Sequence, residues 1–221
     1  MHFLIEPLLS GQQIEAMQVQ LDSAGDLWHP GAETAGWHAR GVKANHQLER
    51  HCSLHQQLAS TIEDALLRHP LVQAAGFPRL IHNILISRSG PGDGYGRHVD
   101  NAWMAAGRSD LSFTVFLSEP ETYAGGELVI ESPLGEESFR LAAGHAIVYP
   151  STSLHRVDPV SAGERLVAVG WIQSRIRHSE QRELLFELDT ARRSVFAQHG
   201  NDEIFDLISR SYSNLLRWWD S

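Results

Sequence analysis

Two residues apart, directly behind a glycine-rich turn written SGPGDG, the run GYGRHVDNAW carries a histidine and a carboxylate, His98 and Asp100. In an extended strand residues i and i+2 project from one face, so this pair is placed to grip a single metal ion. Alone it is a weak signal. A surface ion pair beside a glycine turn has the same spelling, and 13 histidines make a chance His-x-Asp ordinary. His155 strengthens it. It ends the run HAIVYPSTSLH, in which Gly144 marks a turn and 146–149 reads as a strand, so it closes a second structural element. Two histidines and one carboxylate make a facial triad: three protein ligands on one face of an octahedral ion, with adjacent positions left for an oxidisable co-substrate and dioxygen. That set favours iron(II), while zinc or manganese can occupy the same atoms.

Ten residues beyond His155, Arg165 heads the apolar run LVAVGWIQ. A guanidinium buried there needs an anionic partner, and its planar fork suits bidentate binding of a carboxylate. The distal carboxylate of 2-oxoglutarate fits that need. The bland alternative is a surface pair with Glu164 or Asp158. Arg165 also separates three functional classes: an oxygenase needs a carboxylate clamp, whereas a non-catalytic metal-binding or sensor domain, or a cupin-like enzyme working without 2-oxoglutarate, does not. Gly125 and Gly126 resemble a phosphate loop only superficially, because no GK[ST] follows and a strand does. Trp28, Trp37, Lys43 and Trp103 are candidates for a substrate entrance, although aromatic residues in loops more often cover a core.

The elements that must position these residues fall into three stretches. In the first, Ser10 and Gln13 spell a capping box ahead of Ile14, Met17 and Leu21, which predicts a helix over about 11–24. Residues 26–47 read as loops with one or two short strands. Leu54, Leu58, Ile62 and Leu66 predict a helix over 50–68 that stops before Pro70. The middle consists of apolar, β-branched runs at 80–86, 111–117, 127–130, 146–149 and 166–172, divided by Gly and Pro. Many short strands at such spacing predict a β sandwich or barrel. Helical periodicity returns over about 179–198 and 202–219, with Ile204, Ile208, Tyr212, Leu215 and Trp219 on one face. Trp218 and Trp219 are assigned to packing of the terminal helices on the barrel, with a homodimer surface as the alternative.

At 221 residues and 42% hydrophobic content, the chain suffices for one substantial core. No run approaches the roughly 18–20 apolar residues that span a bilayer, and the start MHFLIEPLLS lacks the marks of a signal peptide. The expectation is a cytoplasmic protein without a membrane partner. Cys52 is the only cysteine, which excludes an internal disulfide, a thiolate zinc site and a protein-held iron–sulfur cluster, and leaves nitrogen and oxygen as ligands. The net charge of −9 disfavours nucleic acid as a partner.

Several stretches together resemble a known family: YGRHVDNAW, RSDLSFTVFLSEPETYAGGELVIES, AGHAIVYPSTSLHRVDPVSAGERLVAVGWIQSRIR, the helical LLFELD region and, upstream, TAGWHARGVKANHQ. They resemble the iron(II)/2-oxoglutarate dioxygenases of the prolyl 4-hydroxylase superfamily, in particular the PKHD-type hydroxylases. The resemblance implies a mainly β fold with flanking helices, a double-stranded β-helix or jelly roll. Its core would span 79–177, with elements packed on it over 1–78 and a helical extension over 178–221. It implies iron at His98, Asp100 and His155, 2-oxoglutarate on Arg165, and ascorbate as a supporting reductant. The reaction implied is hydroxylation of an unactivated C–H bond with release of succinate and carbon dioxide. A halogenase of this design would need a small residue in place of Asp100. The primary substrate, a protein side chain or a small molecule, is not spelled in these residues. One departure stands out: many relatives carry a tyrosine nine or ten residues before the first histidine, where this chain has Arg88 and Ser89. Tyr95 matches a common aromatic position, with packing as its simplest use.

Overall fold

The computed structural model describes residues 2–34 and 40–220. The N-terminal part runs β1 (Phe3–Ile5), α1 (Gly11–Asp22), β2 (Trp28–Pro30), β3 (Lys43–Ala44), β4 (His46–Leu48) and α2 (Ser53–Arg68). Then follow β5 (Pro78–Ser89), β6 (Gly94–His98), β7 (Trp103–Met104), β8 (Gly107–Arg108), β9 (Leu111–Phe116), β10 (Tyr123–Gly125), β11 (Leu128–Ser132) and β12 (Gly135–Phe139). The last strands are β13 (Ala146–Pro150), β14 (His155–Val157), β15 (Val160–Gly163) and β16 (Arg165–Ser174), before α3 (Ser179–His199) and α4 (Glu203–Trp219).

Seven strands form a major sheet in the order β1-β13-β9-β16-β5-β4-β2, and five form a minor sheet in the order β12-β11-β14-β6-β3. Their pairings are antiparallel, and the two sheets make the jelly roll expected from the sequence. The period of two along a strand sorts the side chains of the major sheet. On β16, Arg165, Val167, Val169 and Trp171 face a cavity, while Leu166, Ala168 and Ile172 join the core beneath the helices. On β13, Tyr149 faces the cavity and Ala146 and Val148 face the helices. A smaller apolar cluster, including Phe116, Leu128, Ile130 and Ile147, closes the space between the sheets.

Helices α1 and α2 cover the outer face of the major sheet. Ile14, Met17 and Leu21 of α1 and Leu58, Ile62 and Leu66 of α2 are buried in that core, each contributing about 1.5–3 kcal/mol if fully removed from water. The capping box forms: Ser10 Oγ accepts from Gln13 N at 3.3 Å, and Gln13 Oε1 accepts from Ser10 N at 2.9 Å. Helix α2 begins later than its periodicity predicts. His51 takes φ +75° and Cys52 is extended, with Cys52 Sγ accepting from His55 N at 3.3 Å as the N-cap. It ends where Pro70 requires, since His69 is extended at ψ 123°. Among the described residues of the stretch 26–47 there are three short strands rather than one or two, and these extend both sheets.

Helix α4 lies against α3, with the rings of Phe196 and Phe205 5.0 Å apart and Arg192 4.8 Å from the Tyr212 ring centroid. No residue of α4 is fully buried. Ile208, Tyr212, Leu215 and Trp219 are partly covered as expected, whereas Ile204 is 58% and Trp218 75% exposed. Trp218 therefore does not pack on the barrel.

Candidate active site

Strands β6 and β14 are neighbours in the minor sheet, and His98 and His155 are register partners across them, their ring centroids 4.2 Å apart. His98 Nδ1 lies 2.8 Å from the Gly96 carbonyl and His155 Nδ1 3.1 Å from that of Ser153. A carbonyl only accepts, so each Nδ1 carries the proton and each Nε2 offers its lone pair. Both Nε2 atoms stand 3.9 Å from the Asp100 carboxylate, one facing Oδ1 and the other Oδ2. One ligand atom from each of the three residues lies within 4.8 Å of the others. Burial, and then the adjacent His155, push His98 down to about 4, so its ring is neutral as a ligand must be.

Asp100 reaches this point by a route different from the one its spacing suggests. Strand β6 ends at His98, so the two residues are not aligned by a shared strand. Ser112, on β9 of the opposite sheet, donates to Asp100 Oδ2 at 2.6 Å, and its own Oγ is 2.8 Å from Ser151 Oγ. The minor sheet thus presents the histidines, and the major sheet aims the carboxylate. Tyr95 stacks on His98 at 3.7 Å with 22° between the planes, which holds the imidazole's orientation.

Arg165 is 3% exposed at the head of β16. Its proposed surface partners are engaged elsewhere, Glu164 with Arg88 at 3.7 Å and Asp158 with Arg156 at 2.8 Å. Arg165 Nε is buried without a hydrogen-bond partner, and a buried cation so placed is costly until an anion arrives. Burial lowers its affinity for the proton, while Tyr123 and Tyr149 beside it act the other way. Gly126, at φ +71°, gives the side chain its room: a Cβ there would lie 2.9 Å from Arg165 Cδ. The double glycine is therefore a turn shaped around Arg165, as its lack of GK[ST] indicated.

A cavity of about 310 Å³ lies between the sheets and is lined by His98, Asp100, His155, Arg165 and Tyr149. Lys43 and Trp103 also line it, Trp28 is instead buried under the Arg88 guanidinium at 4.5 Å, and Trp37 lies outside the described residues. Ser89 is the register partner of Arg165. Tyr123 and Tyr149 approach Arg165 from other strands; neither was singled out by sequence, because an aromatic residue within an apolar run reads as packing. Two imidazole nitrogens and one carboxylate oxygen, with a buried guanidinium whose Nε lacks a partner across the shared cavity, suit iron(II) and a dicarboxylate.

Residues 84–173 match the family model of the 2OG-Fe(II) oxygenase superfamily, and 180–220 that of the PKHD-type hydroxylase C-terminal domain. The chain is 52% identical over 215 residues to a PKHD-type hydroxylase of Acaryochloris marina, covering 97% of each. It is 50% identical over 219 residues to one of Synechococcus elongatus, again covering 97% of each. Among solved structures, a Pseudomonas putida prolyl-4-hydroxylase matches with a TM-score of 0.58 at 20% identity, covering 79% of this chain and 92% of that one. A viral collagen prolyl hydroxylase from Paramecium Bursaria Chlorella virus-1 gives 0.54 at 20% identity, covering 78% and 96%. These two speak for the fold alone. Identity of about half along nearly the whole length speaks for the family, and the chain belongs to the PKHD-type hydroxylases, iron(II)- and 2-oxoglutarate-dependent dioxygenases.

Proposed function

We propose that His98, Asp100 and His155 hold the iron(II) of this hydroxylase and that Arg165 takes the far carboxylate of 2-oxoglutarate. The observation that carries this reading is the convergence of two Nε2 atoms and one carboxylate on a cavity that also receives the orphaned Nε of buried Arg165. Iron(II), when bound with 2-oxoglutarate and dioxygen, supplies oxidation of the co-substrate to succinate and carbon dioxide, coupled to hydroxylation of a substrate C–H bond. The chain contributes geometry. The Gly96 and Ser153 carbonyls keep each Nε2 deprotonated, Ser112 orients the carboxylate, and Arg165 sets the direction of the co-substrate. Asp100 occupies the third protein position, which favours hydroxylation over halide transfer.

On this reading 79–177 is the catalytic unit, 1–78 packs on it, and 178–221 is a helical extension. Ascorbate as the reductant and the cytoplasm as the location belong to the same proposal. No helix among the described residues is long and apolar enough to cross a membrane. The homodimer rests on exposed Trp218.

Equilibrium dialysis against iron(II) tests the ligands. Wild type takes up the metal, while His98→Ala and Asp100→Ala bind it at least about tenfold more weakly. Unaltered uptake in either variant would remove that residue from the ligand set. Arg165→Ala is expected to keep iron and lose 2-oxoglutarate; unchanged co-substrate affinity would sink its role.

A further inference from the structure

Strand β5 is interrupted on the face that meets the cavity. Its register with β16 pairs Leu85 with Val169 and then His82 with Trp171, so Asn83 and Ile84 together oppose Gly170 in a bulge. Asn83 takes φ +53° there. The other described non-glycine residues with positive φ, His51 and Phe77, precede α2 and β5, whereas Asn83 lies inside a strand of 12 residues. Glycine holds that conformation with less strain, and strain kept beside a binding cavity points to a use for the side chain. Ile84 stays in the core beneath the helices, while Asn83 lines the cavity one residue from His82, the register partner of Trp171. His82 fixes which way the Asn83 amide faces. Its Nε2 lies 3.1 Å from the Arg108 carbonyl, which only accepts, so that nitrogen carries the proton, and Nδ1 accepts from Asn83 Nδ2 at 3.2 Å. What Asn83 then offers a ligand is Oδ1, an acceptor. Trp171 offers the converse. It lines the same cavity, and its indole Nε1 is buried without a hydrogen-bond partner.

We propose that the primary substrate presents an amide group to this corner of the cavity, its carbonyl accepting from Trp171 Nε1 and its N–H donating to Asn83 Oδ1. One donor with one acceptor is the complement of an amide. A carboxylate would satisfy the indole but set a lone pair against Asn83 Oδ1, and an apolar group would leave the buried indole N–H unpaired. The hairpin of β7 and β8 belongs to the same corner. His82 and Gln173 hold Arg108 of β8 through its carbonyl and its N–H, and Trp103 and Met104 of β7 line the cavity, with Trp103 66% exposed. These apolar side chains give adjoining parts of the substrate a surface to rest on. A cavity of about 310 Å³ that also admits 2-oxoglutarate takes one residue of a chain or one small amide.

The inference rests on the assignment of iron and 2-oxoglutarate above, and one experiment separates the two. Protein loaded anaerobically with iron(II) and 2-oxoglutarate is checked for the visible charge-transfer band. It is then titrated calorimetrically with N-acetyl amino acid N-methylamides, with the matching methyl esters and free acids, and with short end-blocked peptides in which one amide is replaced by an ester. An amide of at least one type is expected to bind roughly tenfold more tightly than its ester, the scale of one hydrogen bond. In protein carrying zinc(II) in place of iron, the same amide should move the Trp171 indole N–H resonance, identified by its loss in Trp171→Phe. Asn83→Gly should abolish the preference for amide over ester, keep the band, and melt no lower than wild type, because glycine relieves the strain. A merely structural role for Asn83 predicts the reverse, a lower melting temperature with the preference intact. Preference among the single blocked residues would assign a small-molecule amide, and preference among the peptides alone a peptide chain. Amides that fail to bind, amides and esters that bind alike, a preference that survives Asn83→Gly, or an indole resonance that stays in place would overturn the proposal. No band in wild type would instead bring down the co-substrate assignment, and this proposal with it.

Discussion

Asp100 takes its direction from Ser112, a residue of the opposite sheet, and that hydroxyl is itself in contact with Ser151. Partners of this kind typically account for 10–100-fold in metal affinity. Ser112→Ala is therefore expected to weaken iron(II) binding by about that factor while leaving the protein folded, as metal titration alongside thermal unfolding would establish. Iron affinity equal to wild type would mean Asp100 is aimed by other means. His98 supplies a pH prediction for the metal-free protein. Burial, then His155, hold it at about 4 against an ordinary 6.5, so between those values the unfolded chain binds a proton that the folded protein refuses. Stability should fall as pH drops from about 6.5 to 4, and fall less in His98→Gln, when melting temperatures are compared across that range. At this scale the four candidate residues stand out in the sequence, because HxD, H and R differ in type from the apolar runs around them, and the structure brings them to one cavity. Their supports were not: Ser112 lies in an ordinary strand, and Tyr123 and Tyr149 are spelled like core residues.

At the scale of elements, the turn before β11 and the strand β16 work as a pair. Gly126 is both left-handed, at φ +71°, and close to Arg165 Cδ. Gly126→Ala adds about 1–2 kcal/mol of backbone strain and presses on Arg165. Affinity for 2-oxoglutarate should drop by roughly tenfold, with iron affinity preserved. Equal losses of both ligands would point to general misfolding. Helix α2 is tied to stability rather than chemistry: Ile62 is 0% exposed, and Ile62→Ala is expected to cost about 2–5 kcal/mol in denaturant unfolding without altering iron binding. The long elements were visible in the sequence, since α1 and α2 show helical periodicity and caps. The run at 166–172 announced a strand but not its two faces, because one side meets the cavity and the other the helices, and both are apolar. Strands as short as β14, three residues beside a turn, carry too little pattern to be read.

Across the whole molecule, the N-terminal strands and the two sheets meet around one cavity, while α1 and α2 cover the outer face of the major sheet. Helix α4 stands apart from this arrangement. With no buried residue in α4, removal of residues 200–221 should lower the melting temperature by a few degrees and spare iron binding. Removal from Ser179 onward strips buried Leu185 and the Arg182 bonds to the Ile176 and Arg177 carbonyls, and should destabilise the fold far more. The central claim is that two sheets bring His98, Asp100, His155 and Arg165 to one co-substrate site. Anaerobic visible absorption of the iron(II)-loaded protein, recorded before and after 2-oxoglutarate is added, tests it most directly. A broad charge-transfer band that needs both components in wild type, and much more 2-oxoglutarate in Arg165→Ala, is the predicted result. Stoichiometric iron without a band at any co-substrate concentration would contradict it.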